Sequence, residues 1–499
     1  MNTIVSDSPL NFMGYWQKFT LGLLLLTLIS FGLADTEVIA LEPWNELSRM
    51  GQGLLQVDFF ATEYLVQALW QTVSFALLGV SLGLVLGAPL ALIYHHPWVA
   101  AVCAFVRAIH EIFWALLFLQ IFGLSALTGI LAIGLPYGAT FARVFYDILV
   151  LAPKDTQSVL PHNSDKLSRY IYGTVVTVWA QLASYCRYRF ECALRSSAVL
   201  GFIGMPTLGF YLETAFRQGH YQQGFGLLIL FIVLIGTVSS WCRKIIIPVY
   251  LLAAVYFLPE LPQMDGALIW RFLSYDILPP MLQNLGADGL NLGAMLALMH
   301  WFTELVISQV LPGIAATLVL AIAALGLTHL LTMLLLPLNL KALIPAWLLL
   351  PFQGANLILR STPEYLMAFI FMLLLGPSML PAILALALHN AGLMVFLTAR
   401  QGDKLTVSPS FTPRLDHYCF ELMPKLYPSF IALLCYRFEV IIRETAILGM
   451  LGVATLGFYV DSQFSEIRYS GALVLLVFTA LLNILVDRFS RKLLASPTN

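Results

Sequence analysis

The chain has 499 residues, of which 60% are hydrophobic and 11% charged, with a mean hydropathy of +0.85 and a formal net charge of −1. A soluble domain carries about 25% charged residues, so a soluble globular fold is excluded, and the near-neutral balance gives no reason to expect nucleic acid or another polyanion as partner. The composition is that of a polytopic all-α membrane protein whose first partner is the lipid bilayer.

Taken in order, the first apolar run is Phe19 to Gly32, behind Lys18. Alone it resembles a signal segment. A matching run, Ile245 to Leu258, lies inside the chain behind Arg243-Lys244, where no signal segment belongs, so both are read as short spans. An acidic segment follows each, Asp35–Glu63 and Glu260–Glu304. The second helix is expected over Val66–Tyr94 and again over Val310–Leu338. Each copy has a threonine near its start (Thr72, Thr317) and a proline near its end (Pro89, Pro337). The third is expected over Ala100–Phe122 and Ile344–Leu375, each with Arg-x-x-x-Glu. The fourth covers Leu127–Leu149 and Leu380–Ala399. Polar loops follow, Ala152–Arg169 and Arg400–Asp416. The fifth covers Tyr170–Ala198 and His417–Ile447, and the sixth Phe225–Ser240 and Gly471–Val486.

The order therefore repeats. Tyr188–Tyr211 and Tyr436–Tyr459 align without a gap, and 14 of their 24 positions are identical. The reading is about twelve transmembrane helices as two six-helix repeats, residues 1–243 and 244–499. An even number of spans per half makes the repeats parallel, related by an axis along the membrane normal. Thirteen Lys/Arg fall in the loops on the side of the N-terminus and four on the opposite side. By the positive-inside rule both termini are cytoplasmic.

Charged residues recur within the spans. Arg107/Glu111, Arg360/Glu364, Glu191/Arg195 and Glu439/Arg443 are all spaced i, i+4, which on a continuous helix stacks the two side chains on one face. A lone Arg at mid-bilayer costs at least about 2.5 kcal/mol. The pairs therefore either lock helices together or line a hydrated path for a charged solute. With Arg189 and Arg437 the count is six arginines against four glutamates, which favours an anion. A glycine ladder, Gly201, Gly204 and Gly209, returns as Gly449, Gly452 and Gly457. Glycine permits close helix approach and non-helical backbone, so these positions are read as a tight helix turn or an outer gate. Six cysteines with no Cys-x-x-Cys pair give no zinc or redox motif. The histidines show no ligand spacing, so neither metal nor cofactor is expected. No lysine is followed by Ser or Thr, so the chain has no P-loop and ATP hydrolysis would come from another polypeptide.

The fifth-helix pattern Tyr-Arg-Phe-Glu-x-x-x-Arg-x-x-Ala-x-Leu-Gly-x-x-Gly resembles the membrane subunits of bacterial ABC importers, specifically the phosphonate permease family. The Arg-x-x-x-Glu of the third helix and the closing Asp487-Arg488 are similar to it as well. The resemblance covers about Val66–Arg243 and Val310–Lys492. It implies a permease bundle with two units fused in one chain, set in the bacterial cytoplasmic membrane. It implies a pair of cytoplasmic ATP-binding subunits, a periplasmic solute-binding protein, and import of a phosphonate, phosphite or phosphate-type oxyanion. Two features depart from the family pattern. The loops 152–169 and 400–416 have no glycine at the place it takes in the usual ATPase-coupling loop, Gly402 lying too early, and the glycine-rich outer segment is reduced to Met205-Pro206-Thr207 and Val453-Ala454-Thr455. Twelve spans in two parallel halves also suit a secondary transporter driven by an ion gradient, which is the alternative class.

Overall fold

The computed structural model describes residues 14–60, 63–153, 165–242, 246–258, 265–283, 291–405 and 415–495. Among them every regular element is helical. In chain order the main helices are α1 (Tyr15–Leu33), α2 (Pro43–Leu55), α3 (Leu65–Ile93), α4 (Pro97–Ala108), α5 (Glu111–Phe122) and α6 (Ala126–Val150). Then come α7 (Val176–Val199), α8 (Leu208–Arg217), α9 (Tyr221–Gly236) and α10 (Ile247–Tyr256). They continue as α11 (Leu311–Leu335), α12 (Ala346–Ser361), α13 (Glu364–Leu375), α14 (Met379–Gly402), α15 (Met423–Met450), α16 (Leu456–Ser465) and α17 (Tyr469–Ala495).

Six helical stretches among the described residues are long and apolar enough to cross a bilayer, or nine if each of three bent pairs is one span. The bent pairs correct a sequence expectation. The third span of each half was expected as one straight helix. Instead α4 meets α5 at 89° and α12 meets α13 at 93°. In the second case Pro363 forces the break: it cannot continue a helix and it pushes Thr362 into extended backbone. In the first, Ile109 and His110 adopt the same extended conformation without a proline. There the imidazole Nδ1 of His110 accepts the Ile112 N–H at 3.2 Å, and the Trp114 indole N–H donates back to the Val106 carbonyl at 3.2 Å.

The chain divides into two compact units. The first comprises Ser48–Leu296 with Phe464–Leu481; the second comprises Met1–Leu47, Ala297–Gln463 and Leu482–Asn499. In the first unit α3 packs along α6 through small residues. A methyl group on Gly83 would lie 2.9 Å from the Tyr137 Cβ, and one on Gly79 2.7 Å from the Ile133 Cβ. Spacing of glycines at 79, 83 and 87 brings the two backbones together, the way helices associate where lipid supplies no hydrophobic drive. Helix α10 packs on α3 in this unit, with Trp70 edge-on to Phe257.

In the second unit α14 is the central helix, touched by α11, α12, α13 and α15. Helix α1 lies on α11 where Gly326 leaves room for the Thr27 side chain. Thr20 reaches the Tyr427 hydroxyl, which also meets His329 Nε2 at 3.0 Å. The remaining face of α1, including Leu25, Leu28, Ile29 and Leu33, is exposed and apolar, as a lipid-facing surface must be.

Candidate functional site

Each unit builds a polar hub where its bent helix, its fourth helix and its fifth helix meet. In the first unit Glu111 opens α5 immediately after the bend, and its carboxylate lies 3.8 Å from His110 Nε2. Ser196 on α7 donates its hydroxyl proton to Glu111 Oε1 at 2.7 Å. That proton is then spent, so the Tyr137 hydroxyl, 3.1 Å away on α6, donates to Ser196 Oγ. Arg189 closes the group. Its Nε–H donates to the Tyr185 hydroxyl at 2.8 Å, and its guanidinium carbon sits 5.2 Å from the Tyr137 ring centroid.

In the second unit Glu364 opens α13 after its own bend. His389 on α14 lies with Nδ1 2.9 Å from the Thr362 carbonyl. A carbonyl only accepts, so Nδ1 carries the proton and Nε2 faces the Glu364 carboxylate at 3.7 Å. Asn390, the next residue, donates from Nδ2 to Glu444 Oε2 at 3.4 Å and to the Leu386 carbonyl at 2.9 Å. Glu444 is buried on α15, within electrostatic reach of Glu364, Arg437 and Arg443. Arg360, in the last turn of α12, stacks on Phe396 at 3.9 Å from the ring centroid, and Arg400 lies near the same ring at 4.7 Å.

The sequence candidates are thus placed as follows. Glu191/Arg195 and Glu439/Arg443 each stand on one continuous helix, as their spacing requires. Arg107/Glu111 and Arg360/Glu364 do not. The bend falls between the members of each pair, so two extended residues replace the helical turn that would have stacked them. Arg195 lies with a guanidinium nitrogen 3.9 Å from Cys192 Sγ. Tyr137, Ser196, His110, His389, Asn390 and Glu444 were not singled out from the sequence.

The glycine ladder forms the same turn twice. Helix α7 ends in a 3-10 turn at Gly204, with φ +93°, and α15 ends at Gly452, with φ +97°. Only glycine adopts that backbone freely. Added methyl groups on Gly209 and Gly457 would run into the carbonyls of Ala198 and Ala446, so neighbouring backbones touch directly. The outgoing helix is capped from elsewhere: Thr72 Oγ1 accepts the Leu208 N–H at 2.8 Å, and Thr317 Oγ1 accepts the Leu456 N–H at 3.1 Å. The repeat noticed in the sequence is therefore a repeat of geometry at this turn.

Among the described residues no group of three or more His, Cys, Asp or Glu is arranged to hold a metal. Most of the loops expected to receive an ATPase, residues 154–164 and 406–414, lie outside the described residues.

Curated relatives point one way. Over 454 residues, 82% of this chain and 81% of the relative, it is 24% identical to the phosphate-import permease protein PhnE of Mycolicibacterium smegmatis. Over 95 residues it is 33% identical to the cryptic phosphonate transport system permease protein PhnE2 of Escherichia coli K12, covering 78% of that protein. The chain belongs to the phosphonate permease family. This permease is also 31% identical over 139 residues to the phosphite transport system permease protein PtxC of Stutzerimonas stutzeri, half of that protein's length. No family model matches the permease, and no solved structure matches it. It is a transport subunit rather than an enzyme, with ATP hydrolysis assigned to a separate subunit.

Proposed function

We propose that this permease is the membrane-spanning part of an ATP-driven importer that moves a phosphonate- or phosphate-type oxyanion across the bacterial cytoplasmic membrane. The observation that carries this is the extended match to a phosphate-import permease, covering more than four-fifths of both chains. The solute class comes from what the relatives are named for.

In this reading the chain crosses the membrane about twelve times as two parallel six-helix repeats, 1–243 and 244–499, with both termini cytoplasmic. Each bent pair counts as one passage, and α9, α10 and α15 supply the passages beyond those that pass on length and apolarity alone. The repeats exchange their first helices, in keeping with α1 packing on α11 and α10 packing on α3. Arg107, Glu111, Glu191 and Arg195 line the solute route with Arg360, Glu364, Arg437, Glu439 and Arg443, while Arg189, counted with them in the sequence, is tied to the Tyr185 hydroxyl and the Tyr137 ring. The turns at Gly201, Gly204, Gly209, Gly449, Gly452 and Gly457 act as rigid corners of an outer gate. A cytoplasmic ATPase homodimer drives the change of access, and a periplasmic solute-binding protein delivers the anion.

The experiment is co-purification. The permease expressed with its ATPase and binding protein is expected to hold the ATPase through detergent extraction, and the loaded binding protein is expected to stimulate hydrolysis. A permease that never retains an ATPase, and leaves hydrolysis unaltered, contradicts the proposal.

A further inference from the structure

The two units treat the same arginine differently. Repeat register puts Arg437, Leu433 and Asn390 at the positions of Arg189, Tyr185 and Tyr137. The fifth helices align at an offset of 248 residues. The fourth align at 253, an offset also kept by Gly123 and Gly376, which end α5 and α13 with positive φ. In the first unit both tyrosines are present and the hub is closed. Arg189 Nε–H is bonded, its guanidinium is stacked, and Tyr137 and Ser196 satisfy one another and Glu111.

In the second unit leucine can accept no hydrogen bond and asparagine offers no aromatic face. Arg437 is only 8% exposed, yet its Nε–H has no hydrogen-bond partner among the described residues. Asn390 is fully buried and turns both Nδ2 bonds away to Leu386 and Glu444, leaving Oδ1 without a partner. A buried acceptor on a residue bonded to Glu444 and a buried donor within electrostatic reach of it, both left open, are what a structure keeps when something else fills them.

The charges facing that point decide what the something is. Arg437 and Arg443 stand on α15 with Glu444 itself, Glu364 stands on α13, and His389 stands on α14 against Glu364. A fully deprotonated anion would find the arginines but would face the Glu364 carboxylate and bring no proton for Asn390 Oδ1. A tetrahedral oxyanion that keeps one proton is complementary instead. Its bare oxygens accept from Arg437 Nε–H, and its P–O–H donates to Asn390 Oδ1 or to Glu444. Sulfate has no such proton at neutral pH, so a site with acceptors to satisfy disfavours it.

We propose that Arg437, Asn390 and Glu444 form a binding site for a monoprotonated tetrahedral oxyanion in the second unit, and that Arg189 in the first unit is a structural strut with no such site. This rests on the reading of the permease as an oxyanion importer. The test has two independent arms. In the first, the purified permease, without its binding protein, is melted with inorganic phosphate, methylphosphonate or sulfate in millimolar excess. Phosphate and methylphosphonate are expected to raise the melting midpoint of the wild type and of Arg189→Lys, by mass action on the folded state. They are expected to leave Arg437→Gln, Arg437→Lys and Asn390→Leu unshifted, and sulfate is expected to shift none. Asn390→Leu keeps the branched shape and the number of heavy atoms, so the arm survives if an arginine variant does not fold.

In the second arm, the whole importer takes up radiolabelled phosphate into proteoliposomes at saturating binding protein. Loss of one charge-assisted contact is expected to lower uptake at least about tenfold in Arg437→Lys, with ATP hydrolysis retained. A wild type that phosphate does not stabilise, a shift that persists in Arg437→Lys, or an equal shift from sulfate overturns the site. If these occur while wild-type uptake is intact, the import reading stands and only the site falls; absent wild-type uptake removes both.

Discussion

Replacing Thr72 with valine keeps the shape of the side chain and deletes one atom that matters. Thr72 is fully buried on α3, and its hydroxyl oxygen accepts the first N–H of α8 at 2.8 Å. Thr207, the residue preceding α8, makes no side-chain cap of its own, so the cap is imported across 136 residues of sequence. Valine leaves the Leu208 N–H buried and unbonded, which costs about 1–3 kcal/mol. The hydroxyl proton of Thr72 goes to the Ala68 carbonyl at 2.7 Å, and its loss adds little because that carbonyl also serves the helix ladder. At roughly 2–4 °C per kcal/mol for a domain of 150–250 residues, Thr72→Val should melt several degrees below wild type. The assay is fluorescence-detected unfolding of detergent-purified protein, with Thr72→Ser as the control that keeps the acceptor. Thr317→Val removes the matching cap at 3.1 Å and should lower the midpoint in the same direction. The double variant should add, since the sites lie in separate units. A Thr72→Val midpoint equal to wild type would refute the cap as a source of stability.

Gly209→Ala and Gly457→Ala should both abolish accumulation of folded protein, because the new methyl meets a backbone carbonyl that cannot move aside. Gly32→Ala, with nothing within 4 Å, should leave the yield unchanged. Ser196→Ala should destabilise by about 1–2 kcal/mol, and its effect should be non-additive with Tyr137→Phe, since the two hydroxyls form one chain to Glu111; strict additivity in a double-mutant cycle counts against that chain. Arg195→Ala and Arg443→Ala should each reduce transport while the protein still assembles. Their losses should be unequal, because Ser196 and Glu444 give the two arginines different neighbours. Equal uptake defects argue against specialised halves.

The apolar runs were readable because a bilayer demands long stretches with satisfied backbone, and the fifth-helix repeat because its glycines admit no substitute. The bend at Pro363 was also readable in principle: a proline inside a predicted span, preceded by threonine, marks a break. Its counterpart at Ile109–His110 was not, since nothing local forbids a helix there and the His110 cap and the Trp114 bond are what hold it open. The four-residue spacing of Gly79, Gly83 and Gly87 on α3 is legible in the sequence as the α3–α6 seam. The hubs were the least legible part. Tyr137, Ser196, Asn390 and Glu444 are single polar residues in apolar runs, and each acquires meaning only from a partner 54 to 85 residues away.

Uptake into sealed proteoliposomes, energised in two ways, bears most directly on what this permease does. With its ATPase enclosed and its binding protein outside, internal ATP should drive accumulation of a labelled phosphonate or phosphate, and a proton gradient without ATP should drive none. Accumulation powered by the gradient alone, with the ATPase left out, would contradict the account.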